Sequence, residues 1–222
     1  MHETIVAPRR GQNRAGVPCP ALAARDPFAR IDSADDAGFY AVDRKVVHLE
    51  AGAIEALRGF YAAVLPPSGV VLDLMSSWRS HLPIGIGAIT GLGMNAAEMA
   101  DNPQLDDFVV HDLNREPRLP FTDETFDAVV CAVSVQYLTR PLEVFADVAR
   151  VLRPAGPVVV SFSNRCFPTK AVAIWRAGGS DTHRMLVREY LERTGFASVV
   201  DEAVPSPDDP LFVVWGRRSA PA

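Results

Sequence analysis

Apolar residues fall into two rhythms along the chain. Short continuous runs at GVVLDL (69–74), AITGLG (88–93), DFVVHDL (107–113), FDAVVCAVSV (126–135) and VVVSF (158–162) have the form of strands buried on both faces, as in a parallel sheet. Between them the period becomes helical. Ile54, Leu57, Tyr61 and Val64 share one face over 53–64 before Pro66-Pro67 stops the helix, and Leu142, Phe145, Ala149 and Leu152 do the same behind Pro141. Asn95-Ala-Ala-Glu98 reads as a capping box, with the Asn side chain taking an orphan amide and the Glu reaching back. A last helix is expected over 182–194, stopped by Gly195, followed by β-rich pieces at 197–200 and 211–215. Strands alternating with helices and closing on two adjacent strands predict an α/β chain with a mostly parallel sheet and an antiparallel strand near its edge. Pro83, Gly85 and Gly87 leave the first crossover room for only a short or irregular helix.

Residues 1–30 are rich in Pro, Arg, Gly and Ala without an apolar period, so they are expected as a flexible N-terminal extension and a candidate lid before a single domain over 31–222. The apolar share of 48% and charged share of 22% are those of an ordinary globular protein. The net charge of −5 comes without any block of Lys or Arg, which argues against nucleic acid and anionic membranes as partners. No apolar stretch is long enough to span a bilayer, and the opening residues lack the apolar centre of a secretory signal, so a cytoplasmic location is expected. Cys19, Cys131 and Cys166 have neither disulfide-like nor zinc-like spacing; no metal is expected, and Cys131 reads as a small core residue.

In open parallel sheets ligands sit beyond the carboxyl ends of the strands. The residues there are Asp73, the Gly93-Met94-Asn95 turn, His111-Asp112-Leu113, Ser134-Val-Gln136-Tyr137 and Ser163-Asn164-Arg165-Cys166. The stretch from HDLNREPRLPF through FDAVVCAVSVQYL to RVLRPAGPVVVSFSN, with VVLDL upstream, resembles the central block of the class I S-adenosylmethionine-dependent methyltransferases, over about residues 69–165. The resemblance implies a Rossmann-like, seven-stranded sheet with helices on both faces, and S-adenosylmethionine as cofactor. It implies that Asp73 steadies the first loop and the methionine end of the cofactor. Asp112 then takes the adenine amine beside Leu113, unless it only caps its own turn.

Two features depart from that family. The first loop, Leu74-Met75-Ser76-Ser77-Trp78, has no glycine where the family has several, and Gly93 stands where the family places an acid for the ribose hydroxyls. Ser76 and Ser77 are small enough to let a cofactor approach, or they form a self-satisfied turn. Asn95 reaches the ribose or serves as a plain helix cap. Ser134, after the fourth strand, completes the expected cofactor set.

On the acceptor side Tyr137, His48 and Tyr40 are the candidate catalytic groups, able to orient or deprotonate a nucleophile. Gln136, Asn164, Arg165 and Trp175 are the candidate substrate contacts, Lys170 is a further polar candidate or a solvated charge, and Trp78 and His81 read as packing residues. The expected function is methyl transfer to an O, N or S nucleophile of a small-molecule acceptor. The rival is a methyltransferase fold that no longer methylates and binds a partner. A nicotinamide enzyme is disfavoured because no G-x-G-x-x-G follows the first strand.

Overall fold

The computed structural model describes residues 26–220. Most of the expected 1–30 extension, and the lid role assigned to it, lies outside the described residues. The central layer is a seven-stranded sheet of β1 (Val71–Leu74), β2 (Ile89–Gly93), β3 (Asp107–Val110), β4 (Ala128–Ala132), β5 (Pro157–Phe162), β6 (Phe196–Val204) and β7 (Leu211–Arg218). Its order is β3-β2-β1-β4-β5-β7-β6. β7 runs antiparallel to both β5 and β6, and every other pairing is parallel, as the sequence predicts.

Alternation along the strands feeds two apolar layers. Leu72 and Leu74 of β1 join Val129, Val158 and Val160 beneath two helices, α4 (Pro141–Val151) and α6 (Ser180–Glu192), with short α5 (Ala173–Ala177) beside them. Val71, Val130 and Val159 face the other way, onto Ala53, Leu57 and Tyr61 of α2 (Ala51–Val64). Two short helices, α1 (Asp36–Tyr40) and α3 (Ala96–Ala100), stand at the carboxyl end of the sheet. Helices therefore cover both faces. The first crossover differs from its expectation: residues 75–88 form no helix at all, and Ile84 at its tip is exposed. Pro83, Gly85 and Gly87 break any helical repeat there.

The chain ahead of α1 is laced onto the segment after β5. Ile174 and Ala173 donate to the carbonyls of Pro27 and Ala29, each at 2.8 Å, and Asp32 donates to Thr169 at 2.9 Å. A buried ion cluster fixes the same contact. Lys170, with no exposed side-chain surface, lies 3.0 Å from Asp36 and 2.9 Å from Asp32, while Arg30 reaches both oxygens of Asp36 at 2.7 and 2.6 Å. Burial raises the Asp36 carboxyl, but bonds from Arg30, Asn114 and Lys170 outweigh it and bring the net shift below the ordinary range. Lys170 is thus a structural ion, neither a surface charge nor a substrate contact.

Removing one partner of a buried ion cluster leaves an uncompensated charge. Lys170→Met is expected to lower the unfolding free energy by about 3 kcal/mol, read as a lower urea midpoint at unchanged m value.

Candidate active site

A cleft opens at the carboxyl ends of β1, β2, β3 and β4, where the strand order reverses, and α1 with the following segment to His48 forms its far wall. Its floor is Asp73. This buried carboxylate accepts from Ser76 Oγ at 2.6 Å and Ser80 Oγ at 2.7 Å, and Asn102 Nδ2 ties Ser80 Oγ and the Ser77 carbonyl at 2.9 Å each. Burial pushes the Asp73 carboxyl up to about 6, held back by the two serine hydroxyls. His81, also buried and on the cleft wall, is pushed down to about 4 by burial and by Arg58 and Arg79.

The serine loop explains the missing acid on β2. Ser76 N donates to Leu92 O at 2.8 Å, which presses the loop backbone against the strand end. A Cβ at Gly93 would lie 2.2 Å from the Ser76 carbonyl oxygen and 3.0 Å from the Met99 sulfur. Met75 reaches this path with φ of +59°, a left-handed conformation that a non-glycine residue holds only at a cost of roughly 1–3 kcal/mol.

The capping box of α3 is half made. Asn95 Oδ1 accepts from Glu98 N at 3.0 Å, but Glu98 does not reach back. Its carboxylate instead accepts from Ser77 Oγ at 2.5 Å and Arg44 N at 2.6 Å, on the cleft wall. Asn95 Nδ2 is committed to Tyr40 O at 3.0 Å and Asp43 at 2.8 Å, so the cap role prevails over a ribose contact. Asp112 Oδ1 caps its own turn, accepting from Asn114 N at 2.9 Å and Arg115 N at 3.3 Å, while among the described residues Oδ2 accepts no hydrogen bond.

Every expected cofactor residue except Leu74 borders the cleft: Asp73, Met75, Ser76, Ser77, Gly93, Met94, Asn95, Asp112, Leu113 and Ser134. Leu74 points into the α4 layer because it sits one residue from Asp73 on a strand. The three candidate catalytic groups, Tyr40, His48 and Tyr137, border it too. Burial, with Tyr137 and Asp36 nearby, raises the Tyr40 phenol and leaves it a donor, not a base. Tyr137 is pushed up to about 12 by burial, and its oxygen accepts from Phe167 N at 2.9 Å. His48 is lowered by burial and by Arg165, so its imidazole is neutral at pH 7.

The expected substrate contacts fall outside. Gln136 is buried and donates to Val133 O at 2.8 Å, in the turn Val135–Tyr137. Trp175 lies in the core, stacked on His183 with ring centroids 3.8 Å apart. Arg165 pairs outward with Glu50 at 2.6 Å and Asp209 at 3.0 Å, and exposed Asn164 does not border the cleft. Trp78 and His81, read as packing residues, border it instead. Sequence reasoning missed Glu98, Asn114 and Phe167 as wall residues. Asn114 directly follows the strand-end Asp112-Leu113 pair, a signal that was available; Phe167 carried none.

Two outcomes follow from this geometry. Gly93→Ala is expected to destabilise by about 1–3 kcal/mol, read by thermal unfolding, because the obstacle is backbone. Asp73 favours the folded state below pH 3.8 and loses that contribution as pH rises through about 6. On acidification through that window the native protein should therefore gain on Asp73→Asn by roughly 1.4 kcal/mol per pH unit, in paired urea titrations.

A family model described as a methyltransferase domain matches residues 85–160. The ubiquinone/menaquinone biosynthesis C-methyltransferase UbiE of Roseobacter denitrificans is 32% identical over 127 residues, covering 49% of this chain and 48% of that protein. The chain spans less than half the length of the curated relatives it matches. Among solved structures, the complex of the Haloferax volcanii Trm112 methyltransferase activator with a methyltransferase aligns at a TM-score of 0.59 and 15% identity, over 77% of this chain and 91% of that one. The [4+2]-cyclase SpnF aligns at 0.56 and 15% identity, over 82% and 87%. These structural likenesses speak to the fold, and the family-model match covers the block from the first crossover into β5. Together with the sheet order, they show a fold of the class I methyltransferase kind whose residues 85–160 are similar to the methyltransferase domain family.

Proposed function

We propose that the chain transfers a methyl group from S-adenosylmethionine to an O, N or S nucleophile of a small molecule in this cleft. The observation that carries the reading is the convergence of the strand-end residues and of His48, Tyr40 and Tyr137 on one cleft at the reversal of strand order. The donor set suits the cofactor. Asp112 Oδ2 is uncommitted and accepts from the adenine amine, with Leu113 buried beside it. Asp73 holds the serine loop under the methionine end. Glu98, drawn onto the wall by Ser77 and Arg44, is the carboxylate available to the ribose hydroxyls in place of an acid at position 93.

When bound, the cofactor supplies an electrophilic methyl on a sulfonium, for which alignment provides much of the acceleration. The chain's own residues align the nucleophile and manage its proton. Tyr40 and Tyr137 offer hydroxyl protons, and neutral His48 accepts one.

A second reading, a partner-binding module without methyl transfer, is favoured by two observations. The Ser76 backbone fills the space that a side chain on β2 would need, and no helix follows β1 to present amide groups to a ligand.

Calorimetric titration of cofactor-free protein with S-adenosylmethionine and S-adenosylhomocysteine separates the two. Micromolar binding, weakened about tenfold in Asp112→Ala, is expected; a folded protein that binds neither leaves the second reading standing. Under methyl transfer, protonation of His48 sets the acid limb of the rate profile below the ordinary imidazole value of 6.5. The groups around it are Arg165, which lowers it, and Glu50 and Asp209, which pair with Arg165. His48→Gln should abolish that limb and most of the rate.

A further inference from the structure

We propose that the end of the cleft bordered by Tyr40, His48, Tyr137 and Phe167 is an acceptor subsite for a planar, hydroxylated aromatic ring, methylated on its oxygen. The subsite rests on geometry alone; the methylation rests on the function proposed above.

Phe167 is the centre of an aromatic wall. Tyr137 lies near-parallel to it at 6.0 Å, and His48 and Phe39 meet it edge-on at 4.8 and 5.6 Å. Phe39 in turn meets Tyr40 edge-on at 5.0 Å. The backbone amide of Phe167 donates to Tyr137 Oη at 2.9 Å, so the wall is fixed by a hydrogen bond as well as by packing. Ring faces held this way favour a flat ligand over a puckered one, because stacked and edge-on ring pairs gain beyond area burial.

Polar atoms stand at the edge of this apolar surface without partners. Neither ring nitrogen of His48 nor the hydroxyl of Tyr40 makes a hydrogen bond to a described residue, and the Tyr137 hydroxyl donates to none. A ligand hydroxyl satisfies them: it donates to neutral His48 and accepts from a tyrosine. Charge bears on the oxygen. The Arg44 guanidinium carbon lies 3.9 Å from the Phe39 centroid, whereas Lys170 Nζ, 5.0 Å from it, is already neutralised by Asp32 and Asp36. Arg44 therefore stabilises an oxygen that gains negative charge beside the wall.

The step balances with a sulfonium methyl donor. His48 takes the proton of the acceptor hydroxyl, and an oxygen lone pair forms the O–CH3 bond. The C–S bond breaks with its electron pair on sulfur, giving an aryl methyl ether and a thioether, and the imidazolium returns its proton to water.

The test titrates the full chain with 7-hydroxycoumarin and, separately, with decahydro-2-naphthol, an alcohol of similar size with no π face. Saturable coumarin binding at least tenfold tighter than the saturated alcohol is expected. Phe167→Leu should weaken it about fivefold, and Tyr40→Phe, which keeps the ring, should also weaken it. Equal affinity for both alcohols, unchanged coumarin binding in both folded variants, or no coumarin binding to folded protein overturns the subsite. S-adenosylmethionine binding is measured in parallel. With cofactor present, 7-methoxycoumarin is the expected product by mass spectrometry. Phe167-dependent coumarin binding in a protein that binds no cofactor keeps the subsite and rejects the transfer, whereas cofactor binding without coumarin binding rejects the subsite alone.

Discussion

Burying a carboxylate costs several kcal/mol unless hydrogen bonds replace its water, and at Asp73 that replacement comes from the loop that follows it. Ser76 and Ser80 both donate to Oδ2, and Asn102 braces Ser80 and the Ser77 carbonyl from beyond α3. The loop is therefore wound around the acid it satisfies. Once seated, it brings the Ser76 backbone against β2, presents Ser77 to Glu98, and leads Trp78 to the Val46 carbonyl at 3.1 Å. Loop, helix α3 and the segment before α2 are positioned by one buried charge.

Architecture was the legible part. The apolar runs placed all seven strands because the inner ones, β1, β2, β4 and β5, are almost wholly buried and so read as continuous apolar stretches. The edge strand β3 was readable despite its exposure, since Asp107 and Asp112 bracket its apolar centre. Cofactor-side residues were readable for the same reason: strand ends are fixed by topology, so their neighbours in sequence become neighbours in space.

What failed was side-chain direction. Trp175 and Gln136 follow strands as ligand residues do, yet a bulky indole and a turn-closing amide are drawn inward by packing and by a backbone carbonyl. Lys170 looked like a surface charge because its partners, Asp32 and Asp36, lie more than 130 residues earlier. Glu98 satisfied a capping pattern, but Arg44 N and Ser77 Oγ are stronger claims on a carboxylate than its own helix start. Long-range polar partners of this kind leave no periodicity behind.

The contact between Gly93 and Ser76 also constrains the history of this chain. Because the obstacle at position 93 is a main-chain oxygen, no choice of residue at 76 removes it, and an acid at 93 first requires the whole loop to take another route. Rerouting the loop strips Asp73 of its two hydroxyl donors. The serine loop and the bare strand end are thus epistatically locked: each substitution toward the glycine-rich arrangement is disfavoured until the others are in place, so the path between the two designs passes through several simultaneous changes.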